Sequence, residues 1–258
     1  MDQRIEAMDI AGFYDRLSGD YDRMTGFEQR FVRERPFIKL LVDRHRITRA
    51  VDAGTGTGFH AILLARLGVH VTAIDIAPAM VAALRDRAAR EELAITGLVG
   101  AFEDLPSLVA QPQDAVLSMG NTLAHMASFD ELAGTLGAFR QVLRPGGLVF
   151  IQMLNYKRIL AAKEKVLAEK IEDGIRFVRW YDYEGSRIRF HITREHVDGT
   201  VPAETQSLDL MPFTDDDLRI AARRAGLAEI RTLGSIALEE FDEDRSRDCV
   251  LLARVPEV

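Results

Sequence analysis

From Arg49 to Leu154, short apolar runs alternate with segments whose apolar residues recur at helical spacing. Arg49 to Ala53, His70 to Asp75, Ile95 to Gly100, Asp114 to Met119 and Gly147 to Leu154 read as strands. Between them the segment GFHAILLARLG, the stretch from Pro78 through Leu93, and Asp130 to Leu143 read as helices, with Pro78 at a favoured first-turn position. This alternation predicts a parallel sheet covered on both faces, with ligands bound outside the carboxyl ends of its strands. Upstream, the basic residues from Arg30 to Arg49 interleave with Phe31, Phe37, Ile38, Leu40, Leu41 and Val42. That is the pattern of an amphipathic helix with a solvated basic face; a site for an anionic partner is the alternative.

Beyond Tyr156 the period changes. Ile175 to Tyr183, Ser186 to Thr193 and Thr205 to Phe213 read as extended segments, separated by the turn signals Glu184-Gly185 and Asp198-Gly199. Ile188, Phe190 and Ile192 alternate with Arg189 and His191, which predicts an antiparallel meander. Thr214 then stands as a helix N-cap followed by acids, and Ala228 to Ile236 and Asp248 to Val255 close the chain as two strands. The expected architecture is α/β: a Rossmann-like, seven-stranded, mostly parallel doubly wound sheet with a small antiparallel β insertion after the fifth strand. One domain spans residues 1–258, divided into an N-terminal lid and helices (1–48), a cofactor-binding core (49–156), the insertion (157–213) and the last helix with two strands (214–258).

Composition narrows the function classes. A chain of 258 residues can bury a full core, and its formal charge of −7 opposes nucleic acid and anionic membranes. No apolar run approaches the length of about 18 residues that a spanning helix needs. The opening MDQRIEAMDIAGFYDR carries charges where a secretory signal has an apolar core, so a cytoplasmic location is expected. Cys249, the single cysteine, sits in the apolar run CVLLA as a buried strand residue. His45, His60, His70 and His196 show no ligand spacing and read as surface or capping residues. The acidic stretch from Glu239 to Asp248 lacks the glycine and terminal glutamate of a calcium loop, so no metal is expected.

The most informative segment is VDAGTGTGFH, at the first strand-to-helix junction. Gly54, Gly56 and Gly58 suit a tight turn that a ligand approaches without meeting a Cβ. Asp75 ends the next strand, about 20 residues on, where a carboxylate can accept both hydroxyls of an adenosyl ribose. A dinucleotide fingerprint would need GxGxxG, but here the last glycine's position is Phe59, which weakens a nicotinamide reading. Asp52 can help place a cofactor ammonium, or it can cap the loop amides.

These residues resemble the class I S-adenosylmethionine-dependent methyltransferases, and more narrowly their glycine and glycine/sarcosine N-methyltransferase branch. The resemblance runs from about Arg30 to Tyr156 and is carried, in order, by DAGTGTGFH, SMGNTLAHM and LRPGG followed by LNYKRIL. It implies S-adenosyl-L-methionine as cofactor, with Gly54, Thr55 and Gly56 around the methionine part, Asp75 on the ribose, and Ile76 and Met80 packed beside it. Ala101 and Phe102 would contact adenine. Met119 would face the cofactor, while Asn121, His125, Asn155 and Tyr156 would face the acceptor. Arg30 stands at the branch's offset for the arginine that holds the cofactor carboxylate, and Tyr14 and Tyr21 lie in a segment resembling a mobile lid. The chain departs from the branch where Arg-Asn-Tyr-Asp becomes Leu154-Asn155-Tyr156-Lys157, so the arginine that pairs with glycine's carboxylate is missing unless Lys157, Arg158 or a meander arginine replaces it. Ala101 replaces the usual Asp near the end of the third strand.

The expected reaction is methyl transfer to a small soluble acceptor, an amine or amino acid derivative. For a hydroxyl acceptor, His125 or Tyr156 would serve as base. An O- or C-methyltransferase acting on a sugar, polyketide or quinone-like metabolite is the alternative, motivated by Leu154 and the meander aromatics; a non-catalytic cofactor-binding module is a second. The β insertion could equally form a pocket lid or a contact between copies in a homo-oligomer.

Overall fold

The computed structural model describes residues 2–257, with side chains described from residue 10 onward. Two helices, α1 (Asp2–Thr25) and α2 (Phe27–His45), lead into β1 (Arg49–Ala53), α3 (Phe59–Ala65), β2 (His70–Asp75), α4 (Pro78–Arg90) and β3 (Ile95–Val99). A 3-10 turn (Phe102–Asp104) and the short α5 (Leu105–Leu108) precede β4 (Gln113–Ser118). A second 3-10 turn (Thr122–His125), α6 (Phe129–Val142) and β5 (Leu143–Leu154) complete the parallel part. Then come α7 (Tyr156–Ala162), β6 (Val166–Glu172), β7 (Ile175–Glu184), β8 (Arg187–His196), β9 (Glu204–Leu210), α8 (Asp215–Arg224), β10 (Ala228–Leu233) and β11 (Asp248–Arg254).

The main sheet has seven strands in the order β3-β2-β1-β4-β5-β11-β10. β1 to β5 are parallel, and β11 runs antiparallel to both of its neighbours. Winding reverses between β1 and β4, which opens a crevice at the carboxyl ends of these strands, where the rule for doubly wound sheets puts ligands. Register then decides which residues meet there. Ala53 pairs with Ile74, so the turn after β1 and Asp75 at the end of β2 lie side by side.

The insertion is a four-stranded antiparallel sheet, β6-β7-β8-β9. Phe177, Tyr181, Ile188, Ile192, Leu208 and Leu210 turn inward and join the same core as Val149, Ile151 and Met153 of β5. The meander is therefore fixed to the main sheet by apolar burial. Helix α1 bridges α4 and the insertion: the Asp15 carboxylate accepts the Ala79 N–H at 2.8 Å, the Arg194 guanidinium donates to Asp20 at 2.7 Å, and Lys170 donates to the Arg23 carbonyl at 2.6 Å.

Several boundaries differ from the sequence reading for local reasons. The basic helix begins at Phe27 and stops at His45, because Arg46 turns left-handed (φ 51°) and its N–H closes onto the carbonyls of the last turn. The helix from Pro78 ends at Arg90 rather than Leu93, since Glu92 is left-handed (φ 53°) and the Leu93 N–H returns to the Ala88 carbonyl. Helix α7 and strand β6 were not anticipated. The alternation in β6 is blurred because this edge strand leaves Val166 and Ile171 exposed. The third extended segment ends at Leu210, where the Met211 N–H leaves the sheet to bond the Ala124 carbonyl. His60 is a correction: it is buried, not superficial, and its Nε2 bonds Glu34 at 3.1 Å.

Gly58 caps α3 at φ 89°, and a Cβ there would fall 2.2 Å from Leu84 Cδ1. Gly58→Ala is expected to cost at least about 2 kcal/mol of unfolding free energy in urea, combining a disallowed backbone with overpacking. A loss below about 0.5 kcal/mol, the range of indifferent surface changes, would contradict this packing.

Candidate active site

A cavity of about 600 Å³ occupies the crevice. Its floor is Gly54, Gly56, Asp75, Ile76, Gly100 and Gly120; Ala101 and Phe102 close one end, and Tyr14 and Tyr21 of α1 cover it. His125, Met126 and Thr135 continue the wall toward Leu208, Leu210 and Met211 at the end of β9.

The glycine turn is built by hydrogen bonds from both sides. The N–H groups of Gly54 and Thr55 both donate to the Ile74 carbonyl, at 2.9 and 3.0 Å. Gly54 is left-handed (φ 76°), and a Cβ on it would stand 2.2 Å from Thr122 Cγ2, so the turn after β1 packs directly on the turn after β4. A Cβ on Gly56 would lie 3.7 Å from the Tyr21 ring, which measures how closely α1 covers the turn. Asp75 accepts the Gly56 N–H through Oδ2 at 2.8 Å and the Ala77 N–H through Oδ1 at 3.0 Å. Burial pushes this carboxyl up, and the two backbone bonds oppose that push. Each oxygen keeps a further lone pair, so the carboxylate can accept two vicinal hydroxyls of a sugar.

Asp52 follows neither sequence reading: it holds the loop through a hydroxyl rather than through the loop amides, which bond Ile74 and Asp75. It is buried beneath the turn, accepts the Thr55 hydroxyl at 2.6 Å, and does not line the cavity. It braces the loop from below.

Above the turn stands an uncharged aromatic wall. The Tyr14 hydroxyl bonds His125 Nε2 at 2.8 Å, with the rings edge to face at 5.5 Å, and Tyr21 lies 6.3 Å from Tyr14. The second imidazole nitrogen, Nδ1, is buried without a partner among the described residues. Burial holds His125 down to about 4 and pushes the hydroxyls of Tyr14 and Tyr21 up. All three are neutral at neutral pH.

At the ends of β4 and β5, Asn121 adopts a left-handed conformation (φ 70°), accepts the Leu154 N–H at 3.0 Å and donates to the Tyr156 hydroxyl at 2.8 Å. Burial also pushes Tyr156 up, with Tyr181 adding to it, so this phenol stays protonated and is no base near neutral pH. Thr55, Met80 and Met119 are buried behind the lining. Asn155 is not at the cavity either: it caps α7 and donates to the carbonyls of Glu243 and Ser246 at 2.8 and 3.0 Å, pinning the acidic loop. Arg30 bonds Glu34 at 2.9 Å and lies over the Phe59 ring at 4.1 Å; it does not line the cavity, although its charge eases the upward push on Tyr21. Lys157 is bound to Asp215, Asp216 and Glu243 at 2.9, 3.1 and 3.0 Å, which removes it as a free cation for a ligand.

Sequence reasoning missed the Thr122, Met126, Thr135 and β9 wall. The period-2 signal in the meander marked a buried face but could not say which crevice that face would border.

His125 yields a sign-defined pH dependence. It binds its proton near 6.5 in the unfolded chain and near 4 in the fold, so its stabilising contribution is complete above pH 6.5 and shrinks as pH falls toward 4. Between pH 7 and pH 5, wild type is expected to lose roughly 2 kcal/mol more than His125→Asn in urea unfolding. Parallel pH profiles for the two proteins would refute the burial of a neutral imidazole.

Comparison with known proteins agrees with this architecture. Residues 50–147 match the family model described as a methyltransferase domain. A glycine/sarcosine N-methyltransferase from Aphanothece halophytica is 25% identical over 238 residues, 91% of this chain and 85% of that protein. A ubiquinone biosynthesis O-methyltransferase from Xylella fastidiosa is 35% identical, over only 44% of each chain. In fold, an S-adenosylmethionine-dependent methyltransferase from Clostridium acetobutylicum superposes with a TM-score of 0.79 at 13% identity, covering 94% of this chain and 99% of that one. Strand order, the glycine turn braced by Asp75 and the match over that same core agree: residues 50–147 are a methyltransferase domain, and the chain has the fold of S-adenosylmethionine-dependent methyltransferases.

Proposed function

We propose that the enzyme transfers the methyl group of S-adenosylmethionine to the nitrogen of a small amine or amino acid derivative. The observation that carries this reading is the neutrality of the wall above the glycine turn. Tyr14 and Tyr21 are held protonated, and His125 is held to about 4. A hydroxyl acceptor needs a base strong enough to take its proton, and an imidazole of that acidity is a weak one. An amine needs only to arrive neutral. Loss of hydration in the closed crevice disfavours an ammonium, so an entering amine leaves its proton in solvent and presents a free lone pair.

S-adenosylmethionine supplies the methyl group already activated on a sulfonium. The residues here bind and align. Gly54 and Gly56 present backbone to the methionine part, Asp75 accepts the ribose hydroxyls, and Ile76, Ala101 and Phe102 flank the adenine. Tyr14 and Tyr21, carried on α1, keep water out. With the imidazole proton on Nε2 and donated to the Tyr14 oxygen, His125 Nδ1 can accept an N–H of the acceptor and orient its lone pair. Alignment of this kind supplies roughly 7 to 11 kcal/mol of a bimolecular barrier. The relative from Aphanothece halophytica supports the amine reading across most of the chain, whereas the O-methyltransferase similarity is limited to less than half of it.

Matched acceptors that differ only in amine or hydroxyl, incubated with methyl-labelled cofactor, test the reading. Label is expected on nitrogen, with a rate that rises with pH as the amine loses its proton and shows no inflection from His125 above pH 6. Methylation of the hydroxyl series alone would overturn it.

A further inference from the structure

Beyond His125 the main cavity becomes apolar. Leu208 and Leu210 of β9 pair across the sheet with Phe190 and Ile188, which sets them on the inward face of the meander, and both border the cavity. The chain then leaves the sheet, and the Met211 N–H donates to the Ala124 carbonyl at 2.8 Å. That bond seats the end of β9 against the 3-10 turn that carries His125. Met126, the next residue after that turn, and Ile10, one helical turn before Tyr14 on the same side of α1, extend the apolar lining. The Thr135 hydroxyl beside them is turned to the Met126 sulfur at 3.3 Å.

Charge at the rim of this slot is already paired. Among the described residues the lining has two cations, Arg187 and Arg189, and both face the Asp209 carboxylate, at 3.8 and 2.9 Å. Across from them Asp130 pairs with Arg224 at 2.5 Å, and Glu131 accepts the Ala127 N–H at 2.7 Å. Asp75, Glu103, Asp130, Glu131 and Asp209 thus outnumber the cations of the lining. A carboxylate on an entering molecule would lose its water here opposite charges of its own sign. An ammonium is drawn toward such a mouth, and an apolar carbon skeleton gains by leaving water for the slot.

We propose that the acceptor is an amine on an apolar carbon skeleton without a carboxylate, its nitrogen at His125 Nδ1 and its skeleton against Leu208, Leu210, Met211 and Met126. The proposal rests on the amine reading above and narrows it. The hydrogen bond from Met211 to Ala124 makes the polar contact and the apolar wall neighbours, so one short molecule reaches both. Met126 and Met211 carry unbranched, polarisable side chains that repack around skeletons of differing shape, whereas Leu208 and Leu210 are fixed by the sheet.

The test titrates the protein, loaded with S-adenosylhomocysteine, with propylamine, butylamine, pentylamine and 3-aminopropanoate at one pH, followed by calorimetry. Each added methylene is expected to tighten binding about three- to fourfold, the transfer of one CH2 out of water, with 3-aminopropanoate weaker than propylamine. Met211→Gln, a change of little volume at a half-buried position, should weaken pentylamine about fivefold or more by placing an amide in the slot. Affinity for S-adenosylhomocysteine should stay within about twofold. The wild-type series needs no variant, so a folding defect in M211Q leaves the test intact. Equal affinities along the series, tighter binding of 3-aminopropanoate, or a parallel fall in S-adenosylhomocysteine affinity would overturn the proposal, the last by giving this wall to the cofactor. In turnover, kcat/KM should rise along the same amines, and a flat series would also overturn it. If label passes only to alcohols of these lengths, the amine reading fails, while the chain-length dependence of the alcohols still decides whether the slot takes an apolar skeleton.

Discussion

A backbone amide in a left-handed turn, held by a buried carboxylate, is the interaction on which the rest of the site depends. The Gly56 N–H donates to Asp75 at 2.8 Å, and this bond ties the end of β1 to the end of β2. Parallel pairing of Ala53 with Ile74 sets the separation of the two strand ends, and the missing side chain at Gly54 lets Thr122 close from the β4 side. Without the glycines the turn would be filled. Without the carboxylate, a polar amide would face an apolar crevice unpaired. Asp75 remains costly to bury, and two vicinal hydroxyls from a bound sugar would offset that cost.

The site divides by charge. Its floor carries the Asp75 carboxylate, whereas the wall above is made of tyrosines and an imidazole that burial keeps neutral. That asymmetry matters for chemistry: a sulfonium gains from a nearby anion and from aromatic faces, while the absence of a strong base favours an acceptor that brings its own lone pair. Helix α1 completes the wall and is fastened to the insertion by the ion pair of Asp20 with Arg194, to α4 by that of Asp22 with Arg87, and to the core by the buried Phe13, Leu17 and Met24.

Much of this was legible before the structure. The strands of the parallel core fall within a residue or two of their sequence assignments except for the early start of β5, because each is a buried apolar run bounded by glycine, proline or charge. The GTGTG turn and Asp75 were readable for a stronger reason: a turn this tight with a partner carboxylate has few sequence solutions. What could not be read was tertiary. Asn155 looks like a substrate ligand in a motif, but its amide is consumed by loop carbonyls far along the chain. Arg30 and Lys157 look available until Glu34 and the α8 acids reach them. The edge strand β6 hides because its apolar Val166 and Ile171 stay exposed, so no buried alternation marks it.

The central claim, that Asp75 and the Gly54–Gly56 turn grip an adenosyl group, is tested most directly by a crystal structure with S-adenosylhomocysteine. The account predicts both ribose hydroxyls within about 3 Å of the Asp75 oxygens, with the thioether sulfur beneath Tyr14 and Tyr21. Density for the ligand in another crevice, or a ribose turned away from Asp75, would contradict it.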